Sequence, residues 1–295
     1  MHLPIFALWV LPAFAALIAL EVFWFRRARR TYPWRDSLAS LGVWLGRIGT
    51  GIAGAAFIGF AYTAVWEFTP LRIPLDNVWN WALLFVGLEF SYYWFHRWSH
   101  EVRWMWATHN VHHSAEHIHL VAAYRLGWTS IISGSWLFYL PLILVGFHPA
   151  AVLLMLGINL TYQFWLHTEA VGKLPRWFEY AFNTPSHHRV HHAVNPAYLD
   201  RNYGGVVIVF DRVFGSFAEE RADDPCRYGL VDPNPSRNPF VIALREWGRM
   251  ARDLARARGW RQRLAYAFGA PGWRPQGGLT TAEIRRAASL AGRTP

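Results

Sequence analysis

Long apolar runs limit what this chain can fold into. Residues 4–25 contain one charged side chain, Glu21, and four arginines follow directly in residues 26–30. A run of this length can cross a bilayer, and the arginines after it favour a cytoplasmic C-terminal end. A secretory signal peptide has the opposite order, with its positive charges before a short apolar run. We therefore expect a membrane helix whose N-terminus lies outside.

Four further apolar runs follow, and together with the first they predict an all-α fold. The fold expected is a multi-pass transmembrane helical bundle of about four to five membrane helices. The last two runs are only marginally long enough to span, so a hairpin that enters the bilayer and returns, or long helices packed within it, is an alternative. Alternate crossings place the ends of the third and fifth runs on the cytoplasmic side. The four runs cover roughly residues 40–66, 78–95, 128–147 and 149–166.

Composition agrees with a membrane protein. Only 16% of the 295 residues are charged, against about 25% in an ordinary soluble domain. The formal net charge of +10 suits nucleic acid or an anionic membrane surface, and the apolar runs favour the membrane, so we expect no nucleic-acid partner. The single cysteine, Cys226, excludes an intramolecular disulfide. The near-complete preference for arginine and the lack of organelle signals suggest a bacterial inner membrane.

Histidines form one H-x3-H box and two H-x2-HH boxes. On a helix, positions i, i+3 and i+4 share one face, so each box is expected to direct its imidazoles toward one point. Free histidines at the mouths of apolar segments are costly to desolvate, which favours metal binding. Eight or nine nitrogens exceed what one ion binds, so we predict a dimetal site in a cytoplasmic histidine-rich helical cap. The predicted ligands are the eight box residues and His167, which ends the fifth run: His96, His100, His109, His112, His113, His167, His188, His191 and His192.

The residue types leave the metal open. Imidazole suits iron, zinc, copper and nickel alike, while the absence of ligating cysteine argues against a thiolate zinc site or an iron–sulfur cluster. Three carboxylates near the boxes are interpreted either as partners that fix imidazole tautomers or as helix-face charges. These are Glu89, Glu101 and Glu116.

Three further histidines stand beside the boxes but outside their spacing. His117 and His119 are interpreted as substrate-side or surface residues, and His187 as a residue that orients a neighbour or faces the pocket.

The composition changes after residue 220. Residues 236–267 mix apolar residues with arginines at roughly helical spacing. This pattern predicts a basic amphipathic helix on the cytoplasmic membrane face, with a soluble helical cap over the histidines as the alternative. We therefore expect N-terminal membrane helices in residues 1–78, a catalytic domain in residues 79–220 and a basic amphipathic cytoplasmic tail in residues 221–295.

The boxes and their surroundings resemble the fatty acid hydroxylase and sterol desaturase superfamily of membrane di-iron oxygenases. The resemblance covers about residues 80–220, and the eight box histidines match the eight motif histidines. Within the superfamily, residues 161–192 and the tail segment REWGRMARD look most like the alkylglycerol monooxygenase subfamily. The segments that carry the resemblance are EFSYYWFHRWSHE, ATHNVHHSAEH, NTPSHHRVHH and NPAYLDRNYGGVVIVFDRVFGSF.

The resemblance implies an enzyme with two iron ions. It would use O2 and an external electron donor, either tetrahydrobiopterin or an electron-transfer protein, to hydroxylate a C–H bond of a lipid. In the subfamily, hydroxylation beside the oxygen of a glyceryl ether gives a hemiacetal that breaks down to an aldehyde and glycerol.

Other functions stay open at this stage. A sterol or a fatty acid is an alternative substrate, with hydroxylation or desaturation as the reaction. A histidine-lined metal transporter is a different class, but its ligands would lie near the bilayer midplane, whereas these boxes lie at helix ends. A metal-stabilised scaffold without catalysis is disfavoured by three intact boxes.

Overall fold

A computed structural model of the protein describes residues 3–233 and 235–291. Over these ranges the chain is helical, and β-structure is limited to the isolated bridges Phe182–Val207 and Ala193–Tyr228, so the all-α prediction is confirmed. Two 3₁₀ helices cover Leu120–Tyr124 and Ser135–Tyr139. The α-helices in chain order are α1 Leu3–Arg27, α2 Trp34–Phe68, α3 Val78–Glu101, α4 Arg103–His113, α5 Ser130–Ser133, α6 Leu140–Leu144, α7 Pro149–Phe164, α8 Arg176–Ala181, α9 Pro185–His192, α10 Val209–Val213, α11 Pro239–Arg256, α12 Trp260–Phe268 and α13 Thr281–Ala291.

Polar caps fix where the histidine-bearing helices begin. At the start of α3 the side chain of Asn77 accepts a hydrogen bond from the backbone N–H of Asn80 at 3.0 Å. At the start of α9 the hydroxyl of Thr184 accepts from the backbone N–H of His187 at 3.4 Å, and Pro185 occupies the first helical position. Such caps satisfy N–H groups that have no partner inside the helix. The sequence TPSHHRVHH thus forms a short helix with its own start signal.

The main apolar core lies between α2, α3, α6 and α7. One carboxylate, Glu89 on α3, is buried beside it and accepts hydrogen bonds from Asn159 Nδ2 on α7 at 2.5 Å. It also accepts from the backbone N–H groups of Val206 at 2.9 Å and Val207 at 3.0 Å. Because a buried charge without such partners is strongly unfavourable, these bonds fix the loop before α10 against the bundle. Buried core residues include Tyr62, Leu84, Leu88, Tyr139, Leu142, Ile143, Phe147 and Val152.

The apolar runs and the helices differ in two ways. Helix α3 does not end at residue 95 but continues to Glu101, so the first box lies on its last turns. The run 128–147 does not form one helix, and that expectation is wrong. It is divided into α5, a 3₁₀ helix and α6, because Gly134 adopts a left-handed conformation with φ of 77° and Pro141 cannot donate to the preceding turn.

One helix of the described segments, α2, is long and apolar enough to cross a membrane by its length and composition. At 1.5 Å per residue its 35 residues extend about 50 Å, more than the roughly 30 Å of a bilayer core. The expected four to five crossings and the cytoplasmic position of the cap therefore stay predictions.

Helix α11 covers the helix that carries the second box. The guanidinium of Arg103 on α4 pairs with Glu246 at 2.9 Å and Asp253 at 2.7 Å, both on α11. Ile242 of α11 is buried against α2 and α4, while Phe240 is 65% exposed. Helix α11 therefore packs on α4 and also keeps exposed apolar side chains. The two interpretations of this segment, a helix on the membrane face and a soluble cap, both stay predictions.

The close approach of the loop at Gly205 to α7 gives a test of this packing. A Cβ at Gly205 would lie 2.2 Å from Asn159 Nδ2 and 3.0 Å from a ring carbon of Tyr92, and Asn159 cannot move away without losing Glu89. We expect Gly205→Ala to cost about 1–3 kcal/mol, the usual penalty of overpacking. It should lower the thermal unfolding midpoint measured by circular dichroism in an uncharged detergent.

The matched control is Gly157→Ala on α7, where a Cβ would meet nothing within 4 Å. Alanine is the better helix former, so this variant should keep or raise the midpoint. Equal midpoints for Gly205→Ala and the wild type would contradict the packing described here.

Candidate metal centre

Four segments bring nine histidines together. The first box lies at the end of α3, the second on α4 and the third on α9, and His167 follows the end of α7. All nine rings are buried except His109, which is half-buried. The structure thus places His167 among the box histidines, and the ligand role of the nine stays a prediction.

The nine rings form two groups, which we call group A and group B. Within each group the ring nitrogens that could bind a metal all lie within 4.8 Å of one another. Group A consists of His96, His100, His109, His113 and His191, and group B of His112, His167, His188 and His192.

Each H-x2-HH box contributes to both groups, so the expectation that a box aims at one point is wrong. From the second box, His109 and His113 belong to group A and His112 to group B. The third box does the reverse, with His191 in group A. Helix geometry explains the division. At about 100° per residue, the side chain at i+4 lies about 40° from that at i, whereas the side chain at i+3 lies about 60° from it in the opposite direction. The residues at i and i+4 therefore belong to one group and the residue at i+3 to the other.

Neighbouring ring nitrogens within a group are separated by the distance expected of ligands to one ion. Metal–imidazole bonds of about 2.0–2.1 Å place adjacent ligand nitrogens about 3.0–3.4 Å apart. The observed Nε2–Nε2 separations are His96–His109 3.0 Å, His109–His113 3.2 Å, His112–His167 3.1 Å, His167–His188 3.0 Å and His188–His192 3.1 Å.

Backbone carbonyls fix the orientation of three rings. A carbonyl only accepts, so each Nδ1 carries the proton and the Nε2 of that neutral ring presents a lone pair. This is the arrangement found in histidine metal sites, where Nδ1 donates to a fixed acceptor and Nε2 is the atom available to a metal. The donor and acceptor pairs are His96 Nδ1 to Tyr203 O at 2.8 Å, His167 Nδ1 to Gln163 O at 3.0 Å and His191 Nδ1 to Arg201 O at 3.0 Å.

The electrostatics of both groups favour a bound cation. Burial, with a smaller contribution from neighbouring imidazoles, holds the pKa of His112, His188 and His192 well below the usual value, so these rings are neutral and able to bind metal. The Nε2 atoms of His100 and His191 are buried without a hydrogen-bond partner. Because buried polar atoms are normally paired, these two unpaired lone pairs fit a metal ion in group A. In group B the fit rests on neutral rings whose Nε2 atoms lie 3.0–3.1 Å apart.

Three other histidines lie outside both groups. His119 is fully buried, with its Nε2 3.5 Å from Asp36 Oδ2, so the surface alternative considered for it is wrong. His117 is 60% exposed. His187 is buried with its Nε2 3.9 Å from a carboxylate oxygen of Glu179.

Of the three carboxylates, Glu101 is a helix-face charge and Glu116 a surface charge, whereas Glu89 fits neither interpretation of the sequence. Glu89 contacts no imidazole but fixes backbone N–H groups of the loop that supplies the Tyr203 carbonyl. Glu101 pairs with Arg97 at 2.9 Å, and Glu116 is exposed. Sequence reasoning missed Asp200, whose carboxylate lies 3.5 Å from Nδ1 of His100.

Two cavities reach the histidines. The larger, of about 430 Å³, is lined mainly by apolar residues of α2, α3 and α7 and reaches His96, His109, His112 and His167. The smaller, of about 240 Å³, contains charged residues of α4, α11 and the C-terminal segment and reaches His100, His113, His191 and His192. Groups A and B are therefore both accessible from an apolar and from a charged cavity.

Residues 81–216 match the family model for fatty acid hydroxylase, and this range contains all nine histidines of groups A and B. The chain therefore carries a domain of the fatty acid hydroxylase family, and the resemblance found in the sequence is confirmed.

The chain is similar to alkylglycerol monooxygenases. It is 41% identical to the Danio rerio protein over 216 residues, covering 73% of this chain and 47% of that protein. With the Homo sapiens protein it shares 35% identity over 267 residues, covering 90% and 59%. An ornithine lipid hydroxylase from Rhizobium tropici is 27% identical over 216 residues, covering 70% and 63%.

This chain thus spans about half the length of the alkylglycerol monooxygenases it matches. No solved structure matches it. Because those monooxygenases are animal proteins, the comparisons give no support to the expectation of a bacterial inner membrane.

The lowered histidine pKa values predict how the metal-free protein responds to acid. Below about pH 6.5 the histidines of the unfolded chain take up protons, whereas those of α4 and α9 in the folded chain stay neutral. The unfolded state then binds more protons, so the free energy of unfolding falls as the pH falls below about 6.5. Thermal midpoints of metal-free protein from pH 8 to pH 5 measure this.

Two variants sharpen the measurement. His188→Gln removes a buried imidazole and should weaken the loss of stability in acid, while His117→Gln removes an exposed one and should follow the wild type. A wild-type midpoint that stays constant from pH 7.5 to pH 5 would refute the prediction.

Proposed function

We propose that this chain is a membrane-bound non-haem di-iron monooxygenase that hydroxylates a C–H bond of a lipid with O2, and that its substrates are glyceryl ether lipids. The observation that carries the proposal is the pair of histidine groups beside an apolar cavity in a fatty acid hydroxylase domain. The ether-lipid assignment is supported by the similarity to alkylglycerol monooxygenases.

Groups A and B are the proposed ligand sets of two iron ions. Two irons bound there would supply the reduction of O2 by two electrons and the insertion of one oxygen atom into the substrate. The nine histidines contribute neutral nitrogens, and neither group contains a carboxylate. Ligands without charge would leave the full positive charge of two bound irons uncompensated by the protein.

In this proposal backbone carbonyls orient the ligand histidines, and apolar side chains line the substrate side of the site. The carbonyls of Tyr203, Gln163 and Arg201 keep three rings in one tautomer and orientation. Tyr92 and Phe95 of α3 line the apolar cavity beside the histidines. Such walls accept an alkyl chain and exclude water, which would otherwise compete with the C–H bond for the oxidant.

The charged cavity is the proposed side of the electron donor. Its wall includes Arg103, Glu246 and Arg249 next to His100 and His113. A water-soluble donor such as tetrahydrobiopterin suits these polar groups, whereas a lipid chain does not. Lipid and reductant would then reach the metals from separate cavities.

For a glyceryl ether the reaction balances with one O2, two electrons and two protons. One oxygen atom enters the C–H bond next to the ether oxygen and the other leaves as water. The hemiacetal then breaks its C–O bond to the glycerol, giving a fatty aldehyde and glycerol.

The membrane arrangement proposed with this function is the one predicted from the apolar runs of the sequence. Residues 1–78 supply N-terminal membrane helices, residues 79–220 the catalytic domain and residues 221–295 a basic tail at the membrane face. About four to five helices would enter the bilayer, with groups A and B on the cytoplasmic side. The length and composition of α2 support this arrangement.

Metal content and turnover test the proposal together. Purified protein loaded with Fe(II) should hold two irons per chain and release fatty aldehyde from 1-hexadecylglycerol only with O2 and tetrahydrobiopterin present. His96→Ala in group A and His188→Ala in group B should each hold less iron. Both should lose about a hundredfold or more of the activity, since even partners of metal ligands contribute about 10–100-fold.

The control is His117→Ala, which removes an exposed imidazole outside both groups and should keep wild-type iron and turnover. Iron without aldehyde would refute the ether-lipid assignment and direct the assay to fatty acids and sterols. A wild-type chain without bound metal, or full turnover in His188→Ala, would refute the di-iron proposal.

A further inference from the structure

The apolar cavity contains one arginine. Arg47 on α2 lines it together with residues of α3 and α7. Apart from histidines it is the sole charged side chain of the cavity wall in the described part of the chain, and no carboxylate lines this cavity. A lone positive charge in an apolar cavity calls for an explanation, because ionisable residues at such positions are costly and usually functional.

Arg47 has few partners in the protein. Its Nη1 donates to the carbonyl oxygen of Gly127 at 3.1 Å and lies 3.5 Å from the hydroxyl of Ser130. Over residues 3–233 and 235–291 no ion pair or further hydrogen bond involves this guanidinium. An arginine can donate five N–H groups, so its Nε and Nη2 sides are free to bind a ligand in the cavity.

The sequence after Arg47 predicts where this residue would lie in a membrane. Residues 48–66, a run of 19, contain no charged side chain, and at 1.5 Å per residue they extend about 28 Å. This matches the roughly 30 Å hydrocarbon core of a bilayer. If α2 crosses a bilayer with this run, Arg47 stands at one edge of the hydrocarbon core, at the level of lipid headgroups.

Arg47 is also connected closely to the histidines. Gly127, which accepts its hydrogen bond, packs so closely on α4 that a Cβ there would lie 2.4 Å from the carbonyl oxygen of Thr108. Thr108 directly precedes His109 of group A, and both line the same cavity as Arg47. The charge thus stands a short distance from one histidine group.

We propose that Arg47 binds an oxyanion of the substrate headgroup, so that the cavity selects lipids with an anionic phosphate or carboxylate over neutral ones. The inference rests on the proposed function, since it takes this cavity as the lipid site. A guanidinium binds oxyanions through two parallel hydrogen bonds, and the free side of Arg47 presents that pair of donors. An uncharged glycerol headgroup would leave the charge uncompensated.

Equilibrium binding to metal-free, full-length protein in an uncharged detergent tests the inference without any turnover. The probes share a sixteen-carbon chain and differ in their headgroup: hexadecyl phosphate, hexadecanoate and 1-hexadecylglycerol. We expect the better anionic probe to bind about tenfold to a hundredfold more tightly than the neutral one, as hydrogen bonds to a charged group provide. The comparison of phosphate with carboxylate identifies the oxyanion.

Three variants test whether Arg47 causes the preference for anionic headgroups. Arg47→Gln should remove it, and Arg47→Lys, which keeps the charge but loses the paired donors, should retain part of it. Arg35→Gln replaces an exposed arginine of the same helix and should bind like the wild type. Equal affinity of the wild type for charged and neutral probes would overturn the inference even if Arg47→Gln did not fold.

An unchanged preference in Arg47→Gln would also overturn it, and would indicate that Arg47 contacts only water or bulk lipid headgroups. Turnover of 1-hexadecylglycerol and its 3-phosphate by the iron-loaded protein separates the two proposals. Turnover without a headgroup preference contradicts the Arg47 inference alone. An anion preference without turnover of any lipid contradicts the proposed function alone.

Discussion

Nine imidazole rings, eight of them buried, can lie side by side only if they stay neutral and if their lone pairs have something to bind. Burial holds the pKa values of the rings on α4 and α9 low, which satisfies the first condition. The second is not satisfied within the protein, since buried Nε2 atoms of His100 and His191 have no partner. The helices around them are arranged to keep these atoms together. Caps, the carbonyls of the loop before α10 and the buried carboxylate of Glu89 all contribute to that arrangement.

The exchange of histidines between the groups links the helices to one another. Group A contains His191 of α9, and group B contains His112 of α4. If each group binds a metal, α4 and α9 are joined twice, through both ions. Loss of a ligand in one group then changes the position of a helix that also serves the other group. This coupling explains why variants in either group are expected to affect activity equally strongly.

Much of the site could be predicted from the sequence, because histidine spacing on a helix limits where the rings point. The position of His167 at the end of the fifth apolar run likewise predicted that it lies among the box histidines. The division into two groups could not be predicted, since it depends on how α3, α4 and α9 cross. The hydrogen bonds from the histidines to the backbone carbonyls of Tyr203 and Arg201 could not be predicted either, because every residue type has a backbone carbonyl. The division of residues 128–147 into short helices is indicated in the sequence by Gly134 and Pro141. A reading of hydropathy alone does not detect these helix-breaking residues.

The proposed role of Arg47 would connect the membrane to the selectivity of the reaction. In the proposed binding mode the headgroup is held at the edge of the hydrocarbon core, and Gly127 and Thr108 separate Arg47 from His109. The carbon that reaches the metals must then lie near the headgroup, whatever the length of the tail behind it. Selectivity for a carbon beside an ether oxygen would follow from where the lipid is held.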